Sequence, residues 1–267
     1  MGLFRSRMTA LAATMAALFT FAATAEARIR TQAFDYKHGD VVLEGFIAYD
    51  DANKGKRPGV VIFPSWIGPS DHERDAARRL AAMGYVAMVA DPYGKGVRPT
   101  PPKETRAEMD KYMGNRPLFR ERVNAALDVL KKNANVDTGK LAAIGYCFGG
   151  GAVLELGRSG SDLAAIVSFH GSLSNPTPAD AAKIKGRVLV LHGADDPAVP
   201  QKEVDAFQKE MRDAKVDWQF VSYSGTVHSF TMPRAGNDNS RGSAYNERSA
   251  KRSWVAMQAF FKETLGK

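Results

Sequence analysis

Residues 144–151 read IGYCFGGG and contain the only cysteine of the chain, Cys147. A strand-like run, KLAAIGY, ends directly before this cysteine, and a glycine-rich helical segment follows it. The spacing G-x-C-x-G is that of the nucleophile elbow G-x-S-x-G, with sulfur in place of oxygen. A nucleophile on a tight strand-to-helix bend is strained and leaves no room for neighbouring side chains, so glycines are needed there. By itself, the motif fits either a catalytic thiol or a buried cysteine at a glycine-rich junction.

The segments around this stretch alternate between strand and helix. Several short apolar runs lack polar alternation, as strands buried on both faces of a parallel sheet do; they are VVIFP, YVAMVA, LAAIVSFHG and RVLVLHG. Amphipathic helices are predicted between them, at LFRERVNAALDVLKKN and QKEVDAFQKEMRDAK. Further helices are predicted over 70–83, around 104–113, over 150–159 and over 253–265, and further strands over 41–49 and 217–223. This order predicts a single α/β domain with a mostly parallel sheet and helices on both faces.

Residues 1–27 have the pattern of an export signal. Arg5 and Arg7 precede an apolar, uncharged run over 8–23, and the tripeptide AEA then offers small residues for cleavage. The apolar run of about 16 residues is shorter than the ~20 that a membrane-spanning helix needs. We therefore expect a mature domain over 28–267 that is periplasmic or secreted, without stable membrane insertion after cleavage.

In an exported protein, a single cysteine needs an explanation. In an oxidising compartment, cysteines are expected to form disulfides, and a single cysteine cannot pair within its own chain. A free thiol in such a compartment is therefore expected to be either fully buried or functional.

The charge of the chain does not point to a nucleic-acid partner. The formal net charge is +8, but basic residues are interspersed with acidic ones, as in DHERDAARR. There is no basic stripe and no nucleic-acid-binding motif in the sequence. The pattern favours a solvated surface of mixed charge.

Two more segments follow strands and carry acid–base groups. LHGADDPAVP holds Asp195 and Asp196, and either could be the acid that the order nucleophile, acid, histidine requires. GTVHSF holds His228, the one among five histidines that follows the last predicted strand. Together these placements predict a triad of Cys147, an aspartate and His228.

With these residues assembled, the chain resembles the dienelactone hydrolase family of α/β-hydrolases over about residues 40–265. The segments that carry the resemblance are GYCFGG, HGADDPAVP and VHSF, in that order, and VVIFPSWIG and YVAMVADPYGKG are also similar. The resemblance implies Cys147 as nucleophile, His228 as base and, through the pattern G-x-x-D-x-x-V-P, Asp196 as acid. It also implies an oxyanion hole built from the backbone N–H groups of Trp66 and Phe148.

Two positions depart from the family pattern. The best-known members carry a glutamate just before the oxyanion-hole residue, where this chain has Ser65. They carry an arginine four residues after the histidine, where this chain has Met232, with Arg234 nearby. These departures leave open whether dienelactone itself is a substrate.

Sulfur as the nucleophile restricts the expected substrates. A thiolate is a good leaving group, so simple alkoxides and amines leave poorly in competition with it, whereas enolates and phenolates compete well. We expect hydrolysis of small activated esters, enol lactones or related carboxylic esters through an acyl-enzyme. The alternatives are an acyltransferase or thioesterase on the same fold, or a non-catalytic exported binding protein.

Candidate pocket residues flank the predicted nucleophile. They are Ser65, Trp66, Tyr93, Tyr146, Phe148 and Phe230, and ordinary core packing is the other interpretation of the aromatic ones. His170 also follows a strand, and we expect a structural role for it. Residues 91–117 are rich in Pro, Gly and Lys, and the sequence does not decide whether they form a lid. The sequence contains no metal-binding motif and no phosphate loop, so no cofactor is expected.

Overall fold

The computed structural model describes residues 28–266, which form one eight-stranded sheet covered by helices. The strands are β1 Ile29–His38, β2 Val41–Asp50, β3 Arg57–Phe63, β4 Val86–Val89, β5 Val136–Tyr146, β6 Ala165–Phe169, β7 Arg187–Gly193 and β8 Trp218–Tyr223. Across the sheet they follow the order β1-β2-β4-β3-β5-β6-β7-β8.

The sheet is mostly parallel. β1 and β2 form an antiparallel hairpin, and β2 pairs antiparallel with β4. From β4 through β3, β5, β6 and β7 to β8, every neighbouring pair is parallel. The turns that follow these strands therefore lie at one edge of the sheet, where binding sites of such folds form. The predicted fold class is confirmed.

The described helices are α1 Asp71–Ala82, α2 Lys103–Met113, α3 Arg116–Lys131, α4 Phe148–Arg158, α5 Gln201–Asp213 and α6 Glu247–Leu265. α3, α4 and α5 bury their apolar side chains in one core, and α1 and α6 bury theirs in a second core on the opposite face. Because both faces are covered, all seven residues of β3 are buried. This explains the unbroken apolar runs of the central strands.

The predicted elements are present, with shifted ends. α6 begins at Glu247, earlier than the predicted start at Ser253, because the Asn246 side chain caps it by accepting the Ser249 N–H. β1 is absent from the sequence prediction because most of its residues are exposed and show little apolar alternation.

The predicted export signal over residues 1–27 lies outside the described residues. It stays a prediction, as does the boundary of the mature domain at residue 28. Within residues 28–266, no helix combines the length and the apolarity that crossing a bilayer requires.

Candidate active site

Cys147 lies in the tight turn between β5 and α4, at the N-cap of the helix. Its φ of 55° falls in the left-handed region that residues with a side chain rarely adopt. An added Cβ on Gly145 would lie 1.9 Å from the Gly149 carbonyl oxygen, and one on Gly149 would lie 2.1 Å from the Phe63 carbonyl oxygen. The G-x-C-x-G spacing therefore produces the elbow that the sequence predicts.

Cys147, Asp196 and His228 lie together at the carboxyl edge of the sheet. His228 Nε2 is 3.1 Å from Cys147 Sγ, and His228 Nδ1 is 2.8 Å from Asp196 Oδ2. Asp196 is 5% exposed, and its other carboxylate oxygen accepts the Ala198 N–H at 2.8 Å. Asp195, the alternative acid in the sequence, is exposed to solvent. The structure thus places Asp196 beside the imidazole.

The loop that carries His228 is held by its own backbone. The His228 N–H donates to the Gly242 carbonyl oxygen at 3.2 Å, and its carbonyl oxygen accepts the Ala244 N–H at 3.0 Å. These bonds fix the backbone of the histidine although it lies in a loop after β8.

The groups of the site change one another's ionisation. Burial opposes charge on Cys147, but the positive charge of His228 and hydrogen bonds from His228, Phe148 and Trp66 lower the pKa of the thiol below its usual value. Burial likewise opposes charge on His228, but the Cys147 thiolate and the hydrogen bond to Asp196 raise the pKa of the imidazole to about 10. The two shifts favour a thiolate–imidazolium pair in the resting site.

The loop after β3 brings the backbone of Trp66 to the sulfur. The Tyr93 hydroxyl donates to the Trp66 carbonyl oxygen at 2.9 Å, and the buried carboxylate of Glu73 accepts the Ser65 N–H at 3.4 Å. The N–H of Phe148, in the first turn of α4, approaches the sulfur as well. Two backbone N–H groups that converge beside a nucleophile can stabilise an oxyanion.

A cavity of about 640 Å³ opens onto Cys147 and His228. One wall comes from α2, and others come from the loops after β7 and β8. Its lining includes the apolar side chains of Trp66, Met109, Met113, Phe148, Pro197 and Val199 and the charged side chains of Arg106, Asp110 and Arg241. A cavity of this size suits a small organic substrate.

Trp66 and Phe148 line this cavity as expected, but Tyr93 and Tyr146 are not among its lining residues. Tyr93 lies behind Phe148, with the ring centroids 5.6 Å apart. Tyr146 belongs to the core on the opposite face of the sheet, where it stacks on Phe169 at 4.9 Å. The reason is the strand geometry: Tyr146 ends β5, so its side chain follows the alternation of the strand and not the turn.

Phe230 and Ser65 are not among the lining residues of the Cys147 cavity either. Phe230 is fully buried and packs edge-to-face against His170, with centroids 5.1 Å apart. Ser65 is also buried, and its hydroxyl accepts a hydrogen bond from Arg234 Nη2 at 3.1 Å. Met232 is buried in the same loop as Arg234.

Sequence reasoning missed several residues that shape the site. Glu73 carried a recognisable signal, because S-x-x-E over 70–73 is the sequence of a capping box, and that box is present at the start of α1. Arg106, Thr231 and Arg241 are single residues in loops or on an exposed helix face, and no pattern marks them.

Within residues 28–266, no group of three or more His, Cys, Asp or Glu side chains is arranged to hold a metal ion. The donor set around Cys147 consists of one thiol, one imidazole and one carboxylate joined in a line. Each of these groups already has a hydrogen-bond partner in the site. The expectation that no cofactor is needed stays a prediction.

A parallel sheet with an elbow after β5, an acid after β7 and a histidine after β8 defines the α/β-hydrolase class. Within that class, the model of the dienelactone hydrolase family matches residues 43–265. The chain belongs to the dienelactone hydrolase family.

Three relatives illustrate the similarity. The solved structure of m3DLH is 43% identical, with a TM-score of 0.86, and the match covers 89% of this chain and 99% of that one. A dienelactone hydrolase-like promiscuous phosphotriesterase from metagenomic libraries is 42% identical, with a TM-score of 0.85, covering 90% and 99%. A Salmonella typhimurium protein with the provisional name carboxymethylenebutenolidase is 28% identical over 84% of each chain. With the family match, these similarities identify a hydrolase of the carboxylic-ester kind.

Proposed function

We propose that this enzyme hydrolyses small activated esters and enol lactones through an acyl-enzyme on Cys147. The observation that carries the proposal is the line of contacts from Cys147 Sγ to His228 at 3.1 Å and from His228 to Asp196 at 2.8 Å. A nucleophile, a base and a group that orients the base are the parts that acyl transfer needs.

The steps follow from the positions of these groups. The Cys147 thiolate attacks the carbonyl carbon, and the carbonyl oxygen becomes an oxyanion between the N–H groups of Trp66 and Phe148. When the C–O bond breaks, the imidazolium of His228 gives its proton to the leaving oxygen, and a thioester remains. The neutral imidazole then removes a proton from water, whose oxygen attacks the thioester. Loss of the carboxylic acid restores the thiolate and the imidazolium, while Asp196 holds the ring throughout.

The leaving group decides which esters are turned over. From the tetrahedral intermediate, either the Cys147 thiolate or the substrate oxygen departs, and the weaker base departs faster. A phenolate or enolate, with a conjugate-acid pKa near ~10, competes with the thiolate far better than an alkoxide does. The enzyme should therefore prefer aryl esters and enol lactones to alkyl esters of the same acid.

The test compares 4-nitrophenyl acetate with ethyl acetate on the intact protein and on two variants, Cys147→Ala and Cys147→Ser. We expect the aryl ester to be turned over much faster, and Cys147→Ala to lose at least ~1,000-fold in kcat/KM. Mass spectrometry of quenched wild-type enzyme should show an acetyl group on Cys147. Equal rates for both esters, or a Cys147→Ala variant as active as the wild type, would contradict the proposal.

Acyl transfer to other acceptors is the nearest alternative use of the same intermediate. Added alcohol or amine acceptors, or a thioester substrate, separate it from hydrolysis by the products formed. If the intact protein forms no acyl-enzyme with any of these substrates, the chain is a binding protein on a hydrolase fold.

A second candidate activity is the hydrolysis of phosphotriesters. It is supported by the relative described as a promiscuous phosphotriesterase, which is 42% identical over 90% of this chain. The Cys147 thiolate would attack phosphorus and the aryloxide would leave with the proton of His228. Water deprotonated by His228 would then cleave the S–P bond and release a dialkyl phosphate, which restores the thiolate. The Cys147→Ala variant tests phosphotriester hydrolysis with an aryl dialkyl phosphate as substrate. If the variant loses both the esterase and the phosphotriesterase activity, both activities depend on the same sulfur.

We also propose export to the periplasm or the medium. The support is the order of a basic region, an apolar run and small residues within residues 1–27. Expression in a Gram-negative host, fractionation and N-terminal sequencing should give a mature chain that starts near Arg28. A cytoplasmic protein that retains residues 1–27 would contradict it.

A further inference from the structure

His170 combines several unfavourable features in one residue. It follows β6 with a φ of 40°, in the left-handed region that disfavours a residue with a side chain. Its side chain is fully buried, and Nδ1 has no hydrogen-bond partner among the described residues. A strained backbone and an unpaired buried nitrogen both reduce stability, and such features concentrate at functional sites.

The ring of His170 contacts the catalytic imidazole. It packs edge-to-face against His228, with the centroids 5.4 Å apart and the planes at 67°. Phe230 packs against the same ring at 5.1 Å and Tyr146 at 6.1 Å. Since both nitrogens of His228 already face Cys147 and Asp196, His170 can act on His228 only by packing and by its electric field.

A hydroxyl fixes the orientation of His170. Thr231 Oγ1 is 2.7 Å from His170 Nε2 and 3.4 Å from His72 Nε2. An unpaired buried N–H is costly, so the favoured tautomer of His170 has its proton on Nε2, donating to Thr231, and a bare lone pair on Nδ1. The Thr231 hydroxyl is then free to donate to His72 Nε2. His72 lines a separate cavity of about 710 Å³ on the far side of this chain of contacts.

We propose that His170 is a positioning residue for His228: held by Thr231, its ring sets the tilt of the catalytic imidazole and thereby the contact of His228 Nε2 with the Cys147 sulfur. This inference rests on the proposed function of Cys147 and His228.

Few charged or titratable groups among the described residues lie near His228 and His170 or near His72, which shares the Thr231 hydroxyl. Those around His228 are Cys147, Asp196, His170 and His192, and those around His72 are Asp75, Arg79 and Arg234. Burial lowers the pKa of His170 well below its usual value, and burial also lowers the pKa of His72 to about 4. These shifts favour the neutral forms of the His170 and His72 rings near neutral pH.

The test uses His170→Phe, which keeps an aromatic ring, and Thr231→Val, which keeps the shape of the side chain but removes the hydroxyl. Thr231→Ser restores the hydroxyl and serves as the rescue. Tyr223→Phe is the matched control, because the Tyr223 hydroxyl is also buried without a partner among the described residues and its ring packs against Phe230.

The first readout does not depend on activity. Because Cys147 is the only cysteine of the chain, the ultraviolet absorbance of the thiolate follows its titration at pH values below those at which tyrosine ionises, about 10. We expect the midpoint to rise by about half to one pH unit in His170→Phe and in Thr231→Val, and to stay at the wild-type value in Thr231→Ser and Tyr223→Phe.

The second readout is kinetic. We expect kcat for 4-nitrophenyl acetate to fall roughly 10- to 100-fold in His170→Phe, with KM changed less than about twofold, because the base is tilted and substrate binding is not affected. Should His170→Phe fail to fold, Thr231→Val decides alone. An unchanged thiolate midpoint in the folded variants would overturn the inference even if their melting temperatures fell. Absence of esterase activity in the wild type, with a shifted midpoint in the variants, would instead refute the proposed function and leave the positioning intact.

Discussion

The proposed reacting groups and the walls of the cavity differ in what positions them. Cys147 and Asp196 follow β5 and β7 closely, and His228 is fixed in the loop after β8 by backbone hydrogen bonds with Gly242 and Ala244. The walls come from α2 and from the turn at Asn239–Arg241, which carry largely exposed side chains such as Arg106 and Arg241. The comparison suggests that groups with a fixed backbone determine the reaction and that exposed side chains of the walls determine which substrate undergoes it. Changes near strand ends should therefore lower kcat for every substrate, while changes in the walls should alter KM for some substrates only.

The largest effect is expected from Asp196→Asn. An amide in place of the carboxylate no longer stabilises the imidazolium and favours the wrong tautomer of His228, so kcat should fall roughly 1,000- to 10,000-fold for every ester. Asp195→Asn is the matched control, since Asp195 is adjacent and exposed. Steady-state kinetics with two unrelated aryl esters measures both variants. If kcat of Asp196→Asn fell for one ester only, Asp196 would contribute to substrate selectivity and the comparison between the proposed reacting groups and the walls would fail.

The next largest effect is expected from Gly149→Ala. The added Cβ would lie 2.1 Å from the Phe63 carbonyl oxygen, so β3, α4 or the elbow must move. A shift of this kind displaces Cys147 from His228 and should reduce kcat roughly 100-fold.

Gly151→Ala is the control for this change. Gly151 lies two residues after Gly149 in the same helix. A Cβ added to Gly151 would meet nothing closer than the Ser172 carbonyl oxygen at 3.4 Å. That variant should retain activity and gain some helix stability, because alanine is a better helix former than glycine. Equal activity of both variants would show that the elbow tolerates displacement.

The same division describes what could be predicted from the sequence. Cys147, His228 and an aspartate after β7 were predictable because strand ends of a parallel sheet meet at one edge and because the elbow has a spacing of its own. The choice of Asp196 over Asp195 came from the resemblance to the family, because the residues alone left both open. The positions of Tyr146 and Phe230 were not, since proximity in sequence to a catalytic residue does not decide which face a side chain occupies. Thr231 and Arg241 could not be found either, because their places depend on how an irregular loop folds back, and no periodicity encodes that.

The third prediction concerns pH. The lowered pKa of the Cys147 thiol and the raised pKa of His228 mean that the ion pair forms as pH rises through the first value and is lost as pH rises through the second. The plot of kcat/KM against pH should therefore be a broad bell, with its acid limb below the usual thiol pKa and its alkaline limb above the usual imidazole pKa, and about a tenfold fall per pH unit outside the limbs.

The pH profile is set by Cys147 and His228, so it should be the same for substrates that fill the cavity differently. Measuring it with a neutral and an anionic aryl ester checks that point. An acid limb at about pH 8.5, the value of an ordinary free thiol, would mean that His228 does not stabilise the thiolate and would contradict the resting ion pair.

The smallest effect is expected from Arg241→Gln, in the cavity wall. Arg241 lines both the Cys147 cavity and an adjoining cavity of about 680 Å³, whose described lining contains Arg98 and Arg234 as well and includes no carboxylate. Such a wall attracts an anionic substituent on the substrate, but the Arg241 guanidinium is exposed and its interaction is weakened by solvent.

In Arg241→Gln, KM for an aryl ester that carries a carboxylate should rise roughly two- to fivefold at low salt, with kcat unchanged and with KM for the neutral analogue unchanged. Arg212→Gln removes the same charge from an exposed position in the last turn of α5 and separates local contact from overall charge. If both variants weaken binding of the anionic ester equally, the wall exerts no selectivity of its own through Arg241, and the net charge of the protein accounts for the attraction.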